Sequence, residues 1–152
     1  LASKAAPSPP AGAAPGASFG APSSGGGERD FRAAMDAFDR GDCATATALL
    51  ERVVTPPHAA PQRVAAALHH LGRCQKRGGS CGVAVRTYRA LLADHPAYPE
   101  RAAALWEAAA CHRRLGRLDA ARALLTELMG FAAWRERAVE ELQAIDSIED
   151  AP

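Results

Sequence analysis

Leu68-His69-His70-Leu71-Gly72-Arg73-Cys74-Gln75-Lys76-Arg77-Gly78-Gly79 is the stretch that decides the fold, because it recurs in outline twice more along the chain. Aligned on its last glycine, it lies over Phe31-Arg32-Ala33-Ala34-Met35-Asp36-Ala37-Phe38-Asp39-Arg40-Gly41 and over Leu105-Trp106-Glu107-Ala108-Ala109-Ala110-Cys111-His112-Arg113-Arg114-Leu115-Gly116. The shared glycines are Gly41, Gly79 and Gly116, at intervals of 38 and 37 residues. Seven residues before each stands a small residue: Ala34, Gly72, Ala109. Five after comes an alanine (Ala46, Ala84, Ala121), nine after a large residue (Leu50, Tyr88, Leu125), and twelve after an apolar one (Val53, Leu91, Leu128). These roles cohere. A glycine that tolerates positive φ makes the turn between two helices. Small residues let paired helices approach, and large ones fill the space to the next pair. A fixed period with such roles marks a solenoid. Val, Ile and Thr never cluster in alternating runs, so strands have no support. The fold class is therefore all-α: a short α-solenoid of three antiparallel helical hairpins plus a C-terminal capping helix.

Outward from the repeats, composition changes sharply. Residues 1–27 are almost wholly Ala, Pro, Gly and Ser, with Phe19 the only large aromatic. Such a segment cannot bury enough apolar area to offset the entropy of ordering it, and is expected to be an extended flexible linker. Glu28-Arg29-Asp30 reads as a helix start, with acids near the N-terminus. The repeats are expected at about 27–60, 65–98 and 102–130 within a domain spanning 28–148. Trp134, Ala138, Leu142 and Ile145 recur at helical spacing with Arg135, Glu136, Glu140 and Glu141 outward. They predict a capping helix over 131–146, followed by a frayed acidic tail at 147–152.

From Leu68 to Pro96 the residues resemble the tetratricopeptide (TPR) repeat family: Leu68, Leu71, Gly72, Gly79, Ala84, Tyr88, Leu91 and Pro96 follow the family pattern in order. The third repeat lacks the closing proline, and the first ends at Pro56-Pro57. The likeness extends over roughly three-quarters of the chain, with a period longer than the usual ~34 residues. The run from Tyr88 to Leu92, then Asp94-His95-Pro96 and Tyr98, is also similar to bacterial envelope TPR proteins such as the Tol-Pal coordinator and outer-membrane assembly lipoproteins. The resemblance implies a short right-handed superhelix.

The four cysteines obey the repeat. Cys43 and Cys81 lie two residues after the turn glycine; Cys74 and Cys111 lie five before it. In an array of this type the second helix of one pair runs antiparallel to the first helix of the next. Cys43 should then approach Cys74, and Cys81 should approach Cys111, at nearly equal sequence separations. Each such bridge would stabilise by roughly 3 kcal/mol through the unfolded chain, and would imply an oxidising, periplasmic or extracellular compartment. Reduced cysteines filling alanine-sized holes are the plainer alternative, and Cys74–Cys81 within one repeat is the rival pairing.

Other chemistry finds little support. The formal net charge of +1 gives no basic footprint for nucleic acid. No apolar stretch approaches the length of a membrane span, so direct insertion is not expected. There is no CxxC; His69-His70 beside Cys74, and His112 beside Cys111, point apart on a helix, so no metal and no cofactor are expected. The hydroxyls beyond the linker (Ser80, Ser147, Thr45, Thr47, Thr55, Thr87, Thr126) sit in no nucleophile elbow, and an enzyme is not expected.

The remaining candidate is the concave surface, which in TPR proteins is lined by the first helix of each pair. Carried over by repeat, this gives Phe31 and Met35, then His69, Arg73, Lys76 and Arg77, then Trp106, Ala110, Arg113 and Arg114. Such a surface suits an extended or helical partner segment with acidic groups and an apolar anchor, gripped bidentately by arginine. Solvated charges on ordinary helix faces, and aromatics that are simply core, are the alternative. The asparagines of the carboxylate clamp of chaperone-binding TPR proteins are missing.

The expected function is a non-catalytic scaffold, monomeric, docking a segment of another protein in an envelope or membrane-associated assembly. The chain starts at Leu1 rather than Met, and is expected to be part of a longer protein, held outside the cytoplasm through its linker. Alternatives are an extracytoplasmic sensory tail of a signalling protein (anti-sigma factor or receptor kinase), a structural oligomerisation module, and a cytoplasmic location.

Overall fold

A computed structural model describes residues 24–55 and 59–152. The expected linker therefore lies, up to residue 23, outside the described residues. Among the described residues seven α-helices follow one another: α1 (Ser24–Asp39), α2 (Cys43–Val54), α3 (Pro61–Arg77), α4 (Cys81–Asp94), α5 (Arg101–Arg114), α6 (Leu118–Leu128) and α7 (Arg135–Glu149), with a 3-10 turn at Ala132–Trp134 before the last. Among the described residues there is no strand. The helices pair as α1/α2, α3/α4 and α5/α6, each second helix packs on the first helix of the next pair, and α7 covers α6.

The hairpin turns are made by Gly41, Gly79 and Gly116, at φ of 77°, 79° and 70°. These left-handed values would strain any residue carrying a Cβ. Asp42, next to the first of them, accepts a 3.0 Å hydrogen bond from the Thr45 backbone N–H and so caps α2. The Thr45 side chain, and then this backbone bond, hold the Asp42 carboxyl below its ordinary value. Pro61 starts α3, where its missing N–H costs nothing.

The core is a row of three clusters. The first joins α1, α2 and the inner face of α3 through Phe31, Ala34, Leu50, Val53 and Leu71. The second joins α3, α4 and α5 around Tyr88 and Leu91. The third joins α5, α6 and α7 around Leu105, Leu125 and Ile145. No hairpin encloses a core alone, so each cluster forms only when a neighbour stacks on it. The aligned small, alanine, large and apolar positions of all three repeats are buried. At Gly72 a Cβ would lie 2.6 Å from Cε1 and 2.7 Å from Cζ of Tyr88, so the glycine is what admits that ring.

The ends differ from expectation. Helix α1 begins at Ser24 rather than at Glu28, takes in three glycines, and buries Gly27; packing against neighbours outweighs poor local propensity. The expected fraying from Ser147 does not occur, since α7 runs to Glu149. Arg122 of α6 holds it, donating at 2.6 Å to Asp146 and 2.6 Å to Glu149. Among the described residues no helix is long and apolar enough to cross a membrane.

Both expected cysteine pairs stand at disulfide distance. Cys43 at the start of α2 meets Cys74 near the end of α3, with Cα atoms 5.2 Å apart. Cys81 at the start of α4 meets Cys111 near the end of α5, at 5.0 Å. The antiparallel crossing of second and next-first helices brings each start to each end.

Candidate protein-docking site

Helices α3 and α5, first helices of consecutive pairs, end side by side. Their last turns carry Lys76 and Arg77, and His112, Arg113 and Arg114, where cations favour the negative end of the helix dipole. Helix α3 contains no acid, and α5 contains a single one, Glu107. Arg73, Lys76, Arg77 and Arg114 surround a cavity of about 300 Å³ with Glu107 on its wall.

Glu107 is the centre of the polar packing beneath this cavity. It accepts a 2.6 Å hydrogen bond from the Tyr88 hydroxyl and lies 3.4 Å from Arg73 Nε. His69 Nε2 is 3.8 Å away, too far for a hydrogen bond but close enough to attract when charged. Burial opposes the charged form of Glu107, but His69, the Tyr88 hydroxyl and Arg73 outweigh it and keep the carboxyl below its ordinary value. Burial, then the same carboxylate, pushes the Tyr88 hydroxyl far up, so it stays a donor. On the other side of His69, Tyr98 and Glu100 carry the network out to the surface: His69 Nδ1 is 3.0 Å from the Tyr98 hydroxyl, which donates to the exposed Glu100 at 3.0 Å. Burial and then Glu100 raise Tyr98 as well.

Phe38 of α1 sets the two cavity arginines. The Arg73 guanidinium lies 4.9 Å from its ring centroid and that of Arg77 4.5 Å, cation–π contacts that hold both planar groups. The His70 ring meets the edge of Phe38 at 4.8 Å. Burial, then the neighbouring His69, lowers His70 to about 4, so it is neutral near pH 7. Arg73 and Arg77 are thus oriented by Phe38, and Arg73 by Glu107 as well. Lys76, Arg77 and Arg114 have no carboxylate within salt-bridge distance among the described residues.

Four of the residues expected to line the groove meet here: Arg73, Lys76, Arg77 and Arg114. The other six do not; Ala110 among them is half-buried on α5. Phe31 is 8% exposed and belongs to the first core cluster, covered by Arg63 at 4.7 Å; Met35 packs partly buried against the same cluster. His69 is 2% exposed and serves the buried network instead of the surface. Arg113 is engaged by Glu141 of α7. Trp106 packs on Trp134, ring centroids 6.0 Å apart, with Arg137 set 5.5 Å from both rings. In each case the partner comes from an element that the repeat alignment does not contain, or from the hydrophobic core. Conversely, Glu107 and Phe38 were missed as the residues that position the cations. A charge count could have found Glu107, the single acid of α5 beside a helix α3 that has none. Among the described residues no group of three or more His, Cys, Asp or Glu is arranged to hold a metal ion.

Similarity to known proteins concerns the fold. Residues 66–98 match the model of a tetratricopeptide repeat family. No curated protein matches the chain in sequence. Among solved structures, the type III secretion chaperone SycD of Yersinia enterocolitica, in complex with a peptide of the translocator YopD, is 18% identical, with a TM-score of 0.68 over 81% of this chain and 94% of that one. The same chaperone in an alternative dimer is 20% identical, at 0.68 over 85% and 98%. A tetratricopeptide repeat protein of Parabacteroides merdae is 22% identical, at 0.69 over 80% of this chain and 46% of that one, so the chain spans about half its length. One repeat, residues 66–98, matches the tetratricopeptide repeat family, and the array shares the fold of tetratricopeptide-repeat structures.

Proposed function

We propose that the chain is a non-catalytic, monomeric docking scaffold that receives a segment of another protein through acidic groups on that segment. One observation carries this reading: four cations around a single cavity face one carboxylate, and that carboxylate is already committed to Tyr88 and Arg73. An incoming Asp or Glu side chain gains charge-assisted bonds from groups already held in place by Phe38 and the helix ends. The SycD chaperone, similar in fold, is seen with a peptide, which supports a segment as the occupant. The two cysteine pairs at disulfide distance support an oxidising, extracytoplasmic setting, where an envelope or membrane-associated assembly would be the host.

The test is fluorescence anisotropy with a labelled peptide that carries two adjacent glutamates beside a leucine, and with its lysine counterpart. Lys76→Glu with Arg114→Glu should weaken the acidic peptide at least about tenfold, since each lost charge-assisted bond is worth ~1.5–3 kcal/mol, and the affinity should fall with salt. Equal binding of both peptides, or no change in the double variant, overturns the reading.

A further inference from the structure

A second, larger depression lies away from the basic cavity. Helices α4 and α6, the second helices of consecutive pairs, do not close on each other; α5 forms the floor between them. The trough so formed has a volume of about 690 Å³. Val85 and Leu92 from α4, Ala108 from α5 and Leu124 from α6 make its apolar bed. It stays open because Gly82, Ala93, Ala120 and Ala123 offer no bulk along its walls. From Arg117 to Glu127 the wall runs ten residues, roughly 15 Å, or about three helical turns. His112 adds a neutral ring, its pKa lowered by burial and then by Arg117.

The rim is basic. Arg86, Arg89 and Arg117 border the trough, and none has a carboxylate within salt-bridge distance among the described residues. Its one acid, Glu127, is taken by Arg101; the nearby Asp119 is within reach of Arg122. We infer that this trough is a second docking surface, one that seats an amphipathic helix of a partner protein, apolar on one face and acidic along its flanks. Three turns of helix match the length, the bed matches an apolar stripe at i, i+3, i+4 and i+7, and three unpaired arginines call for acids on either side. Residues 1–23 carry Lys4 and no acid, so their charge does not complement the rim. The exposed large apolar residues of the described chain are Val83, Leu115, Val139 and Ile148. No helix presents three of them as a stripe, so a second copy offers no matching face.

The trough and the basic cavity are independent. Ala108 and His112 lie about 100–160° around α5 from Glu107 and Arg114, at 100° per residue. One helix separates two sites on different faces, and the chain can hold two partners at once.

The probe is a synthetic four-turn helix with a leucine stripe flanked by glutamates, with a lysine-flanked counterpart, read by fluorescence anisotropy; light scattering reads the mass. Ala123→Trp, at an exposed position, obstructs the trough, and Arg86→Glu with Arg89→Glu reverses its rim. Each should weaken the acidic helix at least tenfold, while Lys76→Glu with Arg114→Glu leaves it within twofold. Circular dichroism confirms that every variant is folded. Wild-type binding by both trough variants, or loss of binding in the cavity variant, overturns the inference. So does a dimer dissolved by Ala123→Trp, which makes a second copy the occupant. So does tenfold tighter binding on removal of residues 1–23, which makes that segment the occupant.

Discussion

Replacing Gly72 by alanine tests whether the α3–α4–α5 junction is built around one ring. A Cβ at this position would meet Tyr88 Cε1 at 2.6 Å and Cζ at 2.7 Å, about 1 Å inside ordinary carbon contact. The ring cannot swing aside, since Tyr88 is fully buried and its hydroxyl is tied to Glu107. Overpacking of this kind costs ~1–3 kcal/mol. Exchanging glycine for alanine inside a helix returns ~1 kcal/mol, so the net expectation is a loss of up to about 2 kcal/mol. In a Tyr88→Leu background the obstruction is gone and the same substitution should stabilise by about 1 kcal/mol. The two changes are then coupled by ~1–3 kcal/mol, within the range for residues in contact. Urea unfolding followed at 222 nm on the four proteins, with cysteines kept oxidised, gives the cycle. Tyr88→Phe is the control: it keeps the ring and should keep the cost. If Gly72→Ala costs the same with and without the ring, the steric account of the junction is wrong.

Four further outcomes are expected. With the bridges formed, replacing the Cys43 and Cys74 pair by alanine should lower stability by about 3.7 kcal/mol for a loop of this length. Non-reducing peptide mapping should recover Cys43 with Cys74 and Cys81 with Cys111; four free thiols would remove the argument for an oxidising compartment. His70 is held neutral to about pH 4 in the fold, while its unfolded value is the usual ~6.5, so the unfolded chain binds the extra proton in between. Stability should therefore decline as pH falls from 6.5 towards 4, by no more than about 2 kcal/mol once solvent screening of the partly exposed ring is allowed for, and His70→Phe should flatten that part of the unfolding curve. Arg122→Ala should quicken amide exchange over the end of α7 and leave α3 and α4 unchanged.

The hairpins were legible because their determinants are local and repeat. Three glycines forced to positive φ, and the small and large positions counted from them, needed no knowledge of distant contacts. The cysteine pairs were legible for a related reason: the antiparallel crossing of adjacent pairs maps one repeat position onto another. The binding surface was only half legible. Arg73, Lys76, Arg77 and Arg114 could be placed by register, but whether a cation stays free depends on what reaches it from elsewhere. Glu141 came from the cap to take Arg113, and Tyr98 came from the link before α5 to take His69. Likewise α1 started early because its neighbours buried Gly27, which composition alone assigns to a loop.

The placement of the two cysteine bridges has a mechanical side. With both closed, a pull on the chain ends bypasses everything between Cys43 and Cys74 and between Cys81 and Cys111. Between those closed rings only the seven steps from Cys74 to Cys81 can lengthen, by at most ~25 Å. Lys76 and Arg77 sit on that short tether, and Arg114 just beyond the second ring. Tension on that tether would distort the basic cavity without lengthening either ring, whereas α1, α6 and α7 lie outside both rings and gain no such shelter.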